Sequence, residues 1–265
     1  MAQANGRKSI FITGAASGMG RETARLFAAE GWSVGAFDVQ RDLLDSLEAE
    51  LGAENGLFRR LDVTDREAYR AAMNAFAGAT GGRMDILFNN AGIGRGGPYA
   101  DMAWEDVRAV IEVNLVAVLS GVQLAIPLLT ATAGSLCFST SSSSATFGMA
   151  NIAVYSATKH AVKGFTEALS VELKSRGVRV ADTLPGLIDT PILPEAAKAG
   201  APKDGMWRLL PARSVAEAVW GAYHEDRLHW YVPAELREFD LQATASPEGV
   251  RDAMASGGGL FRQGD

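Results

Sequence analysis

Short runs rich in β-branched and aromatic residues recur along this chain in alternation with helical periodicity, an order that few folds accept. The strand-like runs cover residues 10–13, 33–37, 57–61, 85–89, 135–139, 178–184 and 230–232. Helical stretches fall between them, the longest over 104–129 and 154–176. A strand that pairs parallel to the last one needs a long crossover, which a helix supplies. The order therefore predicts an α/β fold, a doubly wound parallel sheet covered on both faces, with ligands at the carboxyl ends of the strands. At 265 residues and 48% hydrophobic content the chain can bury one full core, and no internal repeat or linker interrupts it. A single domain over 1–265 is expected, with a substrate lid at about 190–213 and a loosely held tail at about 255–265, where Ser256 precedes three glycines.

Composition narrows the partners. A net charge of −6 argues against nucleic acid. No apolar run is read as reaching the ~18 residues of a membrane span, and no charged and apolar leader opens the chain, so a cytoplasmic location without membrane association is expected. Cys137 is the single cysteine and sits in a strand-like run, which predicts a buried core thiol. The three histidines, His160, His224 and His229, are too scattered to suggest a metal site, and His160 is expected away from the active face.

The first strand-like run leads into Thr13-Gly14-Ala15-Ala16-Ser17-Gly18-Met19-Gly20, after which Ala24, Leu26, Phe27 and Ala28 restore a helical pattern. Strand, glycine loop and helix form one half of a dinucleotide site: glycines let the backbone approach a pyrophosphate, and the helix start offers unpaired N–H groups. Asp38 ends the next strand, 24 residues past Gly14. A carboxylate there is placed to accept hydrogen bonds from the adenosine ribose and to repel a 2′-phosphate, which favours NAD over NADP. The same residue is also placed to cap the helix beginning near Arg41, and Arg41 is the cation able to soften the preference.

Tyr155 and Lys159 stand four residues apart in Tyr-Ser-Ala-Thr-Lys, so both side chains emerge on one helix face. An ammonium held near a phenol favours the phenolate and lowers its pKa, which makes a proton donor for an alcohol or carbonyl.

With the glycine loop, Asp38, Asn89-Asn90-Ala91-Gly92, Asn114, the serines from Ser139 to Ser144 and the Tyr155/Lys159 pair in this order, the chain resembles the short-chain dehydrogenase/reductase family over roughly residues 7–192. The resemblance implies a Rossmann-type fold in which Gly14, Ser17, Gly18, Met19 and Gly20 line the pyrophosphate of NAD, while Asp62 and Val63 flank the adenine. Asn90, Ala91 and Gly92 would pack along the cofactor, although Asn90 is also suited to bracing neighbouring strands. In Pro185-Gly186-Leu187-Ile188-Asp189-Thr190, the Ile188 backbone and the Thr190 hydroxyl would meet the carboxamide.

Tyr155 is then the general acid/base, Lys159 lowers its pKa and bonds the nicotinamide ribose, and Asn114 supports a water-mediated proton path behind Lys159. No metal is implied. A serine would hold the substrate oxygen. The family spacing of 13 residues before the tyrosine selects Ser142, whereas counting forward from Gly134-Ser135 selects Ser141, and Ser142 is preferred because Gly148 and Tyr155 keep their usual separation.

The chain departs from the family where many members end in Val-Asp-Gly-Gly: here the last strand reads His229-Trp230-Tyr231-Val232-Pro233, with about thirty residues beyond it. A homodimer or homotetramer built through the two long helices is still implied. Ile192, Leu193, Met206, Trp207, Leu209 and Leu210 make the lid apolar, which points to a small hydrophobic alcohol or ketone or else to simple packing of the lid on the domain. The leading expectation is an NAD-dependent oxidoreductase acting on a secondary alcohol or ketone. A catalytically silent NAD sensor of the same fold is the alternative, and an epimerase or dehydratase with bound NAD is disfavoured by the short carboxyl-terminal region.

Overall fold

The computed structural model describes residues 6–258. Nine strands alternate with ten α-helices among these residues. In chain order they run β1 (Ser9–Thr13), α1 (Gly18–Ala29), β2 (Ser33–Asp38), α2 (Arg41–Leu51), β3 (Gly56–Arg60), α3 (Arg66–Thr80) and β4 (Ile86–Asn89). Next come α4 (Trp104–Ile111), α5 (Ala117–Thr130), β5 (Leu136–Thr140), α6 (Ala153–Glu172), β6 (Arg179–Pro185) and β7 (Ile188–Asp189). The chain closes with α7 (Glu195–Ala199), β8 (Leu210–Pro211), α8 (Arg213–His224), β9 (His229–Val232), α9 (Leu236–Ala245) and α10 (Pro247–Ala253).

Seven strands form one parallel sheet in the order β3-β2-β1-β4-β5-β6-β9. Strand order reverses between β1 and β4, and the crevice at that reversal is where such sheets hold ligands. Because successive strand residues point to opposite faces, β1 sends Ile10 and Ile12 toward α1, α2 and α8, and Phe11 toward α3 and α5. Phe11 stacks on Phe37 at 4.1 Å between ring centroids and meets Phe76 edge-on. Cys137 is buried in this second layer, and burial pushes its thiol up to about 12.

Two sequence expectations need correction. The helix expected over 104–129 is not uniform: α4 and α5 are joined by a π-helical segment, Glu112–Val116, that carries Asn114. The apolar length was also underestimated, since the helical unit Trp104–Thr130 contains an 18-residue stretch long and apolar enough to cross a membrane. Its composition has another physical cause. Val118, Val122, Ala125 and Leu129 bury inside the domain, while Val116 and Leu119 leave a second apolar side exposed.

The segment expected to form the lid is short: it contains α7 and β8, and β8 pairs with β7 just before it. Most of the described residues beyond β9 are helical: α9 and α10 pack Phe239, Ala243 and Val250 against Met206 and Trp207 and against Phe147. Of the tail expected to be loose, Met254–Gly258 continues α10 as a π-turn, and the rest lies outside the described residues.

Candidate active site

The glycine loop joins β1 to α1 at the reversal point. The first bond of α1 runs from Arg21 N to Ser17 O, so the N–H groups of Gly18, Met19 and Gly20 have no helical partner. Ser17 makes no side-chain cap and the first turn holds no acid. Gly18 takes φ +51°, and a Cβ on it would come within 2.9 Å of the Thr190 methyl, so the loop and the segment after β6 close on each other here. Unpaired donors at a positive helix end, with no acid in the first turn, fit a pyrophosphate.

Asp38 is buried, with Oδ2 accepting from Ala16 N at 3.0 Å and Oδ1 from Gln40 N at 3.0 Å. It therefore pins the glycine loop and the entry to α2 at once, each oxygen keeping a further lone pair. Arg41 turns along its own helix to Asp45 at 2.5 Å. Asp62 folds onto Thr64, whose hydroxyl and N–H hold its carboxyl below the usual range. Val63 lines a narrow crevice with Thr13, Asn89 and Ala91.

Asn90 braces strands: its Nδ2 donates to the Thr13 and Gly14 carbonyls at 3.1 Å each, and its N–H donates to Thr13 Oγ1. Ala91 N reaches the same hydroxyl. Asn114 is fully buried and makes a two-point bond with the Ile93 backbone, accepting at 2.8 Å and donating at 2.9 Å. The Asn114 carboxamide is thus committed to the backbone beyond β4. A Cβ on Gly92 would lie 3.3 Å from Asn114 Oδ1 and 3.9 Å from Lys159 Nζ, so the β4 turn, the π segment and α6 converge there.

Ser142, Tyr155 and Lys159 come together beyond the end of β5. Lys159 Nζ donates to the Thr140 carbonyl at 2.7 Å and lies 5.5 Å from the Tyr155 ring centroid. The Ser142 hydroxyl accepts from Ser144 N at 3.1 Å and lies near enough to the Tyr155 phenol to favour its ionised form. Ser141 points elsewhere, donating to the Lys159 carbonyl at 2.9 Å. Burial pushes the Tyr155 phenol up, and the opposing pull comes from Ser142. The expected depression by Lys159 is not what dominates in this geometry. Burial lowers the Lys159 ammonium to about 8. His160 is exposed one residue further round α6, bonded to the Ser156 carbonyl.

Pro185 ends β6, Gly186 N donates to the Val232 carbonyl, Ile188 pairs with Leu210, and Thr190 Oγ1 donates to the Ile188 carbonyl at 3.3 Å. Sequence reasoning did not anticipate the apolar wall of Phe147, Leu236 and Phe239 beside this segment. The recurrence of Leu236, Phe239 and Ala243 at helical spacing is the signal that carried it. The buried pair of Asp182 with His229, 2.7 Å apart, gave no sequence signal, since 47 residues separate them.

Comparison with known proteins agrees with this geometry. A family model described as short chain dehydrogenase matches residues 8–200. Cyclohexanol dehydrogenase of Acinetobacter sp. (strain SE19) is 34% identical over 216 residues, covering 80% of this chain and 86% of that protein. A short chain dehydrogenase/reductase from Burkholderia phymatum in complex with NAD superposes with a TM-score of 0.81 at 27% identity, covering 91% of this chain and 94% of the other. An alcohol dehydrogenase from Thermococcus sibiricus complexed with 5-hydroxy-NADP gives a TM-score of 0.74 at 26% identity, over 84% and 94% of the two chains. By family model, sequence and fold alike, the chain belongs to the short-chain dehydrogenase family of nicotinamide-dependent oxidoreductases.

Proposed function

We propose that this chain is an NAD-dependent oxidoreductase that interconverts a hydrophobic, alicyclic secondary alcohol and its ketone, with Tyr155 as general acid/base. The observation that carries the reading is that Ser142 and Lys159 both lie near the Tyr155 phenol, with Lys159 Nζ 5.5 Å from its ring centroid. A catalytically silent sensor has no use for a proton donor so arranged. The cyclohexanol dehydrogenase relative and the apolar lid support the substrate class.

Gly14, Ser17, Gly18, Met19 and Gly20 would hold the pyrophosphate, and Asp38 the adenosine ribose. Asp62 and Val63 would border the adenine, Asn90 to Gly92 the middle of the dinucleotide, and Pro185, Gly186, Ile188 and Thr190 its amide end. When bound, the nicotinamide supplies or accepts the hydride. In the reducing direction Ser142 and Tyr155 share the ketone oxygen, and Tyr155 delivers its proton to that oxygen. The resulting phenolate is held by the Ser142 hydroxyl and the Lys159 ammonium, whose position the Thr140 carbonyl sets. Asn114 keeps the β4 turn against α6, and Ile192, against Gly94, closes the lid side.

The exposed apolar side formed by Val116 at the end of the π segment and Leu119 on α5, and Val171 on α6, support self-association of the chain as a homodimer or homotetramer. The activity is tested by following NADH fluorescence across a panel of cyclic and acyclic ketones, with Tyr155→Phe as control. Turnover is expected on hydrophobic ketones, and Tyr155→Phe should bind NADH within a few-fold of wild type while losing at least ~10²-fold in rate. Equal single-turnover rates for the two proteins would remove Tyr155 from the mechanism.

A further inference from the structure

We infer that α9 forms a wall of the substrate pocket and that Asp240 is the positioning residue that sets it, an inference that rests on the reading of the site above. Leu236, Phe239, Asp240 and Ala243 follow the i, i+3, i+4, i+7 spacing of one helix face. Leu236, Phe239 and Ala243 are buried, and the Asp240 side chain is only 13% exposed among them. A carboxylate set into an apolar stripe is costly unless paired. Asp240 is paired twice: Oδ2 accepts from Lys163 Nζ on α6 at 2.9 Å and from Tyr231 Oη on β9 at 2.5 Å. Two partners on two different elements leave α9 one rotation and one axial position. Lys163 lies one turn beyond Lys159, so the contact ties α9 to the helix that carries the proton donor.

The face so fixed reaches three parts of the site. Leu236 Cδ1 lies 3.2 Å from where a Cβ on Gly186 would stand, covering the segment assigned to the nicotinamide. Phe239 meets Trp207 of the lid edge-on, with ring centroids 5.4 Å apart. Phe147, five residues after Ser142, joins the same cluster and, like Met206 and Trp207, keeps part of its surface exposed. Arg208 and Glu235, 2.9 Å apart, add a partly exposed tether between lid and helix. The wall offers aromatic and thioether surface, which suits the non-reacting ring of an alicyclic ketone. A ketone too small to reach the wall would not sense it.

The test compares cyclohexanone and acetone as substrates of wild type, Asp240→Ala, Asp240→Asn and Tyr231→Phe, with NADH binding measured by fluorescence. Loss of a charge-assisted contact is expected to raise KM for cyclohexanone by about tenfold in Asp240→Ala, with kcat, NADH affinity and KM for acetone changed less than about threefold. Asp240→Asn, which keeps an acceptor for Tyr231, should recover part of that loss. Equal effects on both ketones, or a lowered Tm with unchanged KM, would overturn the assignment. If Asp240→Ala does not fold, Tyr231→Phe decides, since it removes one contact and must raise KM for cyclohexanone. A second readout needs no turnover: the fluorescence difference between each protein and its Trp207→Phe counterpart should shift to the red when Asp240 is replaced. An unshifted difference spectrum overturns the role of Asp240 even if catalysis is found. A wild type that reduces neither ketone refutes the substrate reading and leaves this spectrum to judge the positioning role of Asp240.

Discussion

Ser142 stands near the phenol of Tyr155, 13 residues further on, while its neighbour Ser141 turns to the opposite side and donates to the Lys159 carbonyl at 2.9 Å. A one-residue step along extended backbone reverses a side chain, so the two hydroxyls have separate tasks. Ser142→Ala should lower kcat/KM by ~10²-fold, as expected for a lost donor to the reacting oxygen, and should also lower Tm modestly, because Ser144 N loses its acceptor. Ser141→Ala should leave kcat/KM within several-fold and cost about 1 kcal/mol of stability, measured by denaturant titration. A larger rate loss at Ser141 would reverse the assignment.

Lys159 provides a pH test. Burial lowers its ammonium to about 8, so its charge is present below that pH and lost as pH rises through it. In the proposed reading this charge stabilises the Tyr155 phenolate, so kcat/KM for ketone reduction, which reports the free enzyme, should fall above about pH 8. Lys159→Arg keeps its charge throughout and should abolish that upper limb while lowering the plateau. An upper limb unchanged in Lys159→Arg would assign it to another group.

Asp38 serves the loop and, in the proposed reading, the cofactor. Charge-assisted bonds to the ribose contribute on the order of 1.5–3 kcal/mol, and a 2′-phosphate would lose them and face the carboxylate, so NAD should be preferred over NADP by at least ~10² in kcat/KM. Arg41 pairs with Asp45 along its own helix at 2.5 Å. Asp38→Ala should narrow the preference mainly by weakening NAD, and should also lower Tm, because Ala16 N and Gln40 N lose their acceptor. Equal efficiency of the wild type with both cofactors would refute the preference.

His229 contributes a pH-dependent stability. Burial works to lower its pKa, but the Asp182 carboxylate outweighs burial and raises it above the ordinary value of about 6.5. The folded state therefore binds the proton more tightly than the unfolded chain. The stabilisation is complete below about 6.5 and is lost as pH rises through the raised value. The Tm gap between wild type and His229→Asn should accordingly be larger at pH 6 than at pH 9. A gap that widens with pH would contradict the pairing.

Local order along the chain determined the fold class. Strand-like and helical periods alternate visibly, and seven short runs correspond to the seven strands of the parallel sheet. The glycine loop and the Tyr155/Lys159 spacing were legible for the same reason, since each lies within one turn or one loop. Tertiary structure decided what depends on contacts between distant segments. Spacing left Ser141 and Ser142 both open, and their opposite directions at the end of β5 separated their contacts. It also decided that Asp38 spends both oxygens on backbone N–H groups, that Asn114 sits on a π segment bonded to Ile93, and that Asp182 meets His229. The region beyond β9 shows the limit most clearly. Leu236, Phe239 and Asp240 carry a helical period in sequence, but Lys163, Trp207 and Tyr231 are brought to them only by the packed sheet. Periodicity reports which face of an element is buried, and only the packed chain supplies the surface that buries it.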